Sequence, residues 1–249
     1  LVDGRRGWGE ATVLTGYTDE TIEDAWATAM AMAGGLIKLD SAAGKQAAMH
    51  HHHDAPFTTT AFVTALEMAE DHALLNAESE RRAPLLAIVN ATERAAITDE
   101  IEARLAEGYG TLKVKVGFEL VADLDRLAFI QALVEGRAAI RVDANQGYTQ
   151  AAGVRFVADI DPAGIELVEQ TCAAGDWDAA VAVAKSARAN GVQFMLDESI
   201  YGLADVDRAA EMQCADIIKL KLMKLGGLDA LTHGLDHIRS RGMQPVLGN

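Results

Sequence analysis

Lys115, Asp143, Glu169, Asp197 and Lys221 each close a short apolar run: TLKVK (111–115), AIRVD (139–143), IELVE (165–169), VQFMLD (192–197) and DIIKLK (216–221). Three carboxylates flanked by two lysines make a divalent-cation site between two candidate bases. Oxygen-only ligands select a hard cation, Mg²⁺ first and Mn²⁺ as the alternative, with water or substrate completing its shell. Three unneutralised acids at one depth would repel one another, so a cation is expected among Asp143, Glu169 and Asp197. A lysine beside such a cation can remove a proton α to a carboxylate, because the negative charge that develops is stabilised.

The lysines come in pairs. Lys113 and Lys115 share one face of a strand and leave Val114 and Val116 on the other. An isolated Lys-x-Lys would read as a guarded sheet edge, but acids at matching positions on the following runs turn both lysines inward. Neighbouring ammonium groups disfavour one another's protonation, which suits a general base near neutral pH. Lys219 and Lys221 repeat the spacing. Asn145 shares the face of Asp143, and Glu198 follows Asp197 at the rim. With Lys219 and Asn249 they are candidates for contacts to substrate or to the groups around the cation.

These residues recur about every 24–28 positions, the length of one strand plus one returning helix. In a (β/α) barrel the C-terminal ends of the strands converge on one mouth, and Lys115 and Lys221 would face each other across it. The period extends back to Asn90 and forward to Asn249, giving seven strand ends and a barrel over 84–249 that stops before an eighth. The chain opens on Leu1, and LVDGRRGWGEA reads as the second half of a hairpin, so a piece of a longer protein, cut at both ends, is expected. Helices are expected over 97–110, with Thr98 as N-cap, and over 120–135, 150–160, 176–190, 203–213 and 228–241. Residues 1–83 break the period. They predict a small α+β region with a strand in RRGWGEATVL and helices near 19–36 and 57–76. The run His50–His53 reads as a solvated loop, since four adjacent histidines cannot all reach one ion.

Composition narrows the class. A chain of 249 residues with 50% hydrophobic content suffices for one α/β barrel. A net charge of −15 repels a phosphate backbone and argues against nucleic acid. No apolar run approaches membrane-spanning length. Cys172 and Cys214 lack metal-type spacing and fit reduced thiols, so a cytoplasmic location is expected.

The motifs TLKVKVG (111–117), RVDANQGYT (141–149), IELVEQ (165–170), MLDES (195–199) and DIIKLKLMKLGG (216–227), preceded by GWGEA (7–11), resemble the enolase superfamily. The likeness is to its muconate-lactonizing-enzyme (mandelate racemase/muconate cycloisomerase) subgroup. It implies a TIM-like, enolase-type barrel, truncated before the eighth strand, behind part of an α+β capping domain (1–83). It implies Mg²⁺ on Asp143, Glu169 and Asp197, and Lys115 and Lys221 as the acid/base pair with Lys113 assisting. Lys221, rather than Lys219 or Lys224, stands five positions before the Gly-Gly pair. The implied activity is abstraction of a proton α to the carboxylate of a small substrate through an enediolate, giving racemisation, epimerisation or cycloisomerisation. A dehydratase or β-elimination lyase of the same superfamily, or a catalytically silent metal-binding barrel, are the alternatives. A homo-oligomer is expected of the complete parent. One departure is Thr171, where the family commonly has proline; a changed loop is expected there.

Overall fold

The computed structural model describes residues 4–14, 17–76, 79–80 and 82–248. The chain divides into two compact units. One comprises Leu1–Arg81, Leu220–Asp236 and Leu247–Asn249; the other comprises Arg82–Lys219 and His237–Val246. Residues 220–236 group with the first unit rather than with the strands and helices that precede them. The cause is close packing at Gly226 and Gly227: a Cβ on Gly226 would stand 2.6 Å from the Met49 sulfur, and one on Gly227 2.7 Å from Val63.

The sheet is built from β1 (Ala87–Val89), β2 (Thr111–Lys115), β3 (Ala139–Asp143), β4 (Ile165–Glu169), β5 (Phe194–Leu196), β6 (Ile217–Lys221) and β7 (Gln244–Gly248), in that spatial order. The pairs from β1 through β6 are parallel. Parallel neighbours need a crossover, supplied by α4 (Arg94–Ala106), α5 (Leu120–Val134), α6 (Gln150–Asp159), α7 (Trp177–Ala189) and α8 (Leu203–Glu211). After β6 come the one-turn α9 (Leu222–Leu225) and α10 (Leu228–Ser240). Sequential parallel strands, each returned by a helix, are the (β/α) barrel arrangement, with seven strands among the described residues.

Register places the chemistry. Lys115 pairs with Asp143 and Asp143 with Glu169. Glu169 pairs with Met195, so Asp197 lies two residues further along. Residues two before an inward acid share its face. Leu167, Met195 and Ile217, two positions before Glu169, Asp197 and Lys219, accordingly cluster with Val246 as an apolar floor beneath the charged groups.

One cap differs from expectation. The helix after β1 begins at Arg94, with Glu93 at its cap position and no side-chain cap bond, so Thr98 is inside it and donates to the Arg94 carbonyl at 3.0 Å. Starting a turn earlier buries both Ile97 and Ile101, and the Glu100 carboxylate turns back to accept from Asn90 and Ala91 amides at 2.9 and 2.8 Å.

The first unit is helical: α1 (Ile22–Leu36), α2 (Ser41–Met49) and α3 (Pro56–Ala69). The strand expected in RRGWGEATVL is not formed among the described residues, where only an isolated bridge marks Arg5. The segment lies instead on α3, so close that a Cβ on Gly7 or Gly9 would stand 1.7 Å from the carbonyl oxygen of Ala65 or Ala61. α2 escapes sequence reading because AAGKQAAM carries little apolar periodicity; Asp40 caps it, accepting from Ala43 at 2.8 Å. The helix expected to reach 76 stops at Ala69, before left-handed Asp71 (φ 62°). His50–His53 form a turn, with His52 bonded to the Met223 carbonyl at 2.9 Å.

Candidate active site at the strand ends

Lysines and carboxylates alternate across the ends of β2 to β6. Lys115 Nζ lies 2.7 Å from Asp143 Oδ2, and Lys113 Nζ lies 2.7 Å from that same oxygen and 2.8 Å from Glu169 Oε2. Lys219 Nζ lies 2.9 Å from Glu169 Oε1 and 3.2 Å from Asp197 Oδ2. Every acid in this row is nearly inaccessible. Of these lysines, Lys113 and Lys219 keep 9% and 14% of their side-chain exposure, whereas Lys115 keeps 34% and is the most exposed of the three.

The self-repulsion expected of three neighbouring acids is thus relieved by three ammonium groups. Burial pushes the Asp143 carboxyl up, but Lys113 and Lys115 outweigh it and hold the group below its ordinary value. Burial, then the Asp143 charge, carry Glu169 the other way despite Lys113 and Lys219. Burial lowers Lys219, yet Glu169 and Asp197 more than compensate and hold it well above an ordinary lysine.

A second layer fixes the row. Asn145 donates from its amide nitrogen to Glu198 Oε1 at 2.9 Å, accepts from Lys115 through its side-chain oxygen, and gives its backbone N–H to Asp143 Oδ1 at 2.9 Å. Gln170, which sequence reasoning passed over, is buried. Its side-chain oxygen accepts from the Asp197 and Ser199 amides at 3.0 and 3.2 Å, and its nitrogen donates to Ser199 Oγ at 2.8 Å and the Cys172 carbonyl at 2.9 Å. The Glu-Gln dipeptide after an apolar run was the available signal. Asn145, Gln146 and Gln170 all adopt left-handed φ (41°, 68° and 35°). Such conformations are costly for residues with a Cβ and cluster at functional sites. Thr171, at the departure from the family pattern, is buried, and its carbonyl accepts from the Tyr148 amide at 2.9 Å.

Lys221 belongs to the other compact unit. There its Nζ lies 2.9 Å from the Tyr17 hydroxyl and 4.1 Å from the centre of that ring. Asn249 lies outside the described residues. The same unit holds Glu67, His72 and Asp229 with ligand-type atoms within 4.8 Å of one another. Those groups already have partners. Glu67 accepts the Leu228 amide at 2.9 and 3.0 Å, His72 Nδ1 accepts from Leu74, and its Nε2 faces Asp229 at 2.9 Å.

The residues at the strand ends fit a divalent cation in donor chemistry. Asp143, Glu169, Asp197 and Glu198 offer only carboxylate oxygen, the donor set of a hard cation. Glu198 Oε2 is buried and lacks a hydrogen-bond partner among the described residues, a costly state unless something else satisfies it. The oxygens of Asp143, Glu169 and Asp197 are not gathered within 4.8 Å as one set; Lys113 and Lys219 stand between them.

A sequence profile of the family described as enolase C-terminal domain-like matches residues 96–249. The chain belongs to this family. Among curated enolase-family relatives, a chloromuconate cycloisomerase of Cupriavidus pinatubonensis is 31% identical over 140 residues, 56% of this chain and 37% of its own. An L-Ala-D/L-Glu epimerase of Clostridium acetobutylicum is 34% identical over 143 residues, 57% and 39% respectively. The L-Ala-D/L-Glu epimerase of Bacillus subtilis aligns more widely, 30% identical over 243 residues, 90% of this chain and 64% of that protein. The chain therefore spans less than two-fifths of the length of the first two. The muconate lactonizing enzyme from Pseudomonas putida superposes with a TM-score of 0.87 at 23% identity, covering 98% of this chain and 72% of that one. These matches agree with the enolase-superfamily resemblance of the motifs and with its barrel fold.

Proposed function

We propose that this protein is a divalent-cation-dependent isomerase that moves a proton on the carbon next to a carboxylate, with a dipeptide or another small carboxylate as substrate. The observation that carries the reading is Lys115, the most exposed of the three lysines paired with the row of buried acids. A residue that exchanges protons with substrate must reach it; Lys115 does, while Lys113 stays buried against Asp143 and Glu169. Two relatives named as cycloisomerase and epimerase support the reaction class, and the L-Ala-D/L-Glu epimerase that aligns over 90% of this chain favours a dipeptide.

Asp143, Glu169 and Asp197 would hold the cation, and Mg²⁺ is the first choice. A dipeptide epimerase from Cytophaga hutchinsonii, similar in fold at 22% identity and a TM-score of 0.87, was solved with Mg and D-Ala-L-Val. When bound, the cation neutralises charge that builds on the substrate carboxylate. This chain's residues do the rest. Lys115 takes the α-proton, Asn145 and Asp143 hold its Nζ in place, and Lys113 fixes Asp143 and Glu169. Lys221, which ends β6, returns a proton in an epimerisation or stabilises charge in a cycloisomerisation. We assign the protein to the cytoplasm and expect a homo-oligomer. Among the described residues no helix is long and apolar enough to cross a membrane.

The test is solvent deuterium incorporation. The natural full-length protein, given Mg²⁺ and a panel of dipeptides and muconates in D₂O, should place deuterium at the α-carbon of at least one carboxylate. Loss of water without exchange would instead favour the lyase alternative, and Mg²⁺ binding with no turnover the silent barrel.

A further inference from the structure

Lys219 sits where it can compete with the proposed cation. Its ammonium holds one oxygen of Glu169 at 2.9 Å and one of Asp197 at 3.2 Å, and its side chain is mostly buried. Both acids are proposed cation ligands, so we infer that Lys219 is a built-in counter-cation: it neutralises them in the cation-free protein and weakens divalent binding. The inference rests on the cation reading of Asp143, Glu169 and Asp197.

The charge count supports it. Asp143, Glu169, Asp197 and Glu198 bring four negative charges, and Lys113, Lys115 and Lys219 three positive ones, leaving one negative charge in excess. A divalent cation added to that set leaves one positive charge in excess. Without Lys219, the loaded set is neutral and the cation-free set carries two uncompensated negative charges. Repulsion between a divalent cation and an ammonium sharing its ligands is poorly screened at buried positions. The same attraction that holds the cation-free acids together therefore opposes loading. Lys113 bridges Asp143 and Glu169, but it shares the Asp143 oxygen that also holds the proposed base Lys115, so Lys219 is the ammonium whose removal disturbs that base least.

The experiment measures Mg²⁺ binding by calorimetry and Mn²⁺ binding by electron paramagnetic resonance on chelator-stripped protein. Lys219→Met and Lys219→Gln should each bind about tenfold or more tightly than wild type. Lys219→Arg, which keeps the charge, should bind about as wild type does. Both neutral variants should melt lower when stripped and recover on adding Mg²⁺. Folding of either variant only in the presence of Mg²⁺ supports the inference as well. Unchanged or weaker binding in both, with Glu169→Gln losing binding, would overturn it and leave the cation reading standing. Failure of both to fold even with Mg²⁺ would overturn it too, making Lys219 purely structural. Glu169→Gln binding as tightly as wild type would overturn the cation reading itself, and the inference with it.

Discussion

The Tyr148 hydroxyl donates to the Asp123 carboxylate at 2.7 Å, and the same oxygen accepts the amides of Gly117, Phe118 and Glu119 at 3.0, 2.9 and 3.1 Å. One buried acid in the first turn of α5 thus fastens both the loop that follows Lys115 and the loop that follows Asp143. The two loops also touch directly. A Cβ on Gly147 would stand 2.2 Å from the Gly117 oxygen, and one on left-handed Gly117 (φ 98°) 2.4 Å from the Ala144 oxygen. Burial, then the hydrogen bond to Asp123, hold the Tyr148 phenol well above its ordinary value, so it remains a donor throughout the physiological range.

Removing that acid should loosen the site from outside it. Asp123→Ala leaves buried amides and a hydroxyl without their acceptor, at a cost of about 3 kcal/mol. Urea denaturation should show that loss, and hydrogen exchange should rise first at residues 117–119 and 145–148. Loss of stability without faster exchange in those loops would show that Asp123 does not brace them.

Glu20 plays an equivalent role in the other unit. α3 starts behind Ala55, which offers no side-chain cap. Glu20, distant in sequence and buried, takes the Phe57 and Thr58 amides at 2.9 and 3.2 Å and the Thr58 hydroxyl. Glu20→Ala should cost about 2 kcal/mol, the upper range for a lost cap, while Glu20→Gln should retain part of it. Equal stability of Glu20→Ala and wild type in urea denaturation would contradict this.

The strand ends were legible because each combines two independent signals, an apolar run and a charged residue at a fixed period. Lys115, Asp143 and Glu169 consequently fall in one register. Asp123, Tyr148 and Gln170 were not legible. Each acts through backbone amides or a hydroxyl of a loop whose course no periodicity reveals. The first unit was read less well for a related reason. The segment Arg5–Leu14 alternates as a strand does, but Gly7 and Gly9 let its backbone lie on a helix, a contact only the fold displays. Neutralisation of the acids by lysines was half legible: the residue types were visible, their pairing was not.

The three acids at the strand ends are predicted to act as one cation site. Asp143→Ala, Glu169→Ala and Asp197→Ala should each weaken Mg²⁺ binding about a hundredfold or more, since each removes both a ligand and a negative charge. Glu169→Ala should also be the least stable, because it takes a carboxylate from two mostly buried lysines, Lys113 and Lys219, leaving each one acid partner, whereas Asp143 serves the more exposed Lys115. Calorimetry that finds unchanged Mg²⁺ affinity in all three variants would remove these residues from the site.

The roles of the two lysines can be separated by exchange from each enantiomer of a racemisable substrate in D₂O. If Lys115 and Lys221 serve opposite faces of the α-carbon, Lys115→Ala should abolish exchange from one enantiomer and spare some from the other. Lys221→Ala should show the reverse. Each lost step should fall by about a hundredfold or more, the usual contribution of general acid–base catalysis. Tyr17→Phe, which removes the hydroxyl facing Lys221 Nζ and keeps the ring beneath it, should depress only the exchange that depends on Lys221. If both single lysine variants lose both exchanges while still binding Mg²⁺ and substrate, one lysine is the base. The other then acts by its charge alone, as a cycloisomerase or dehydratase would use it.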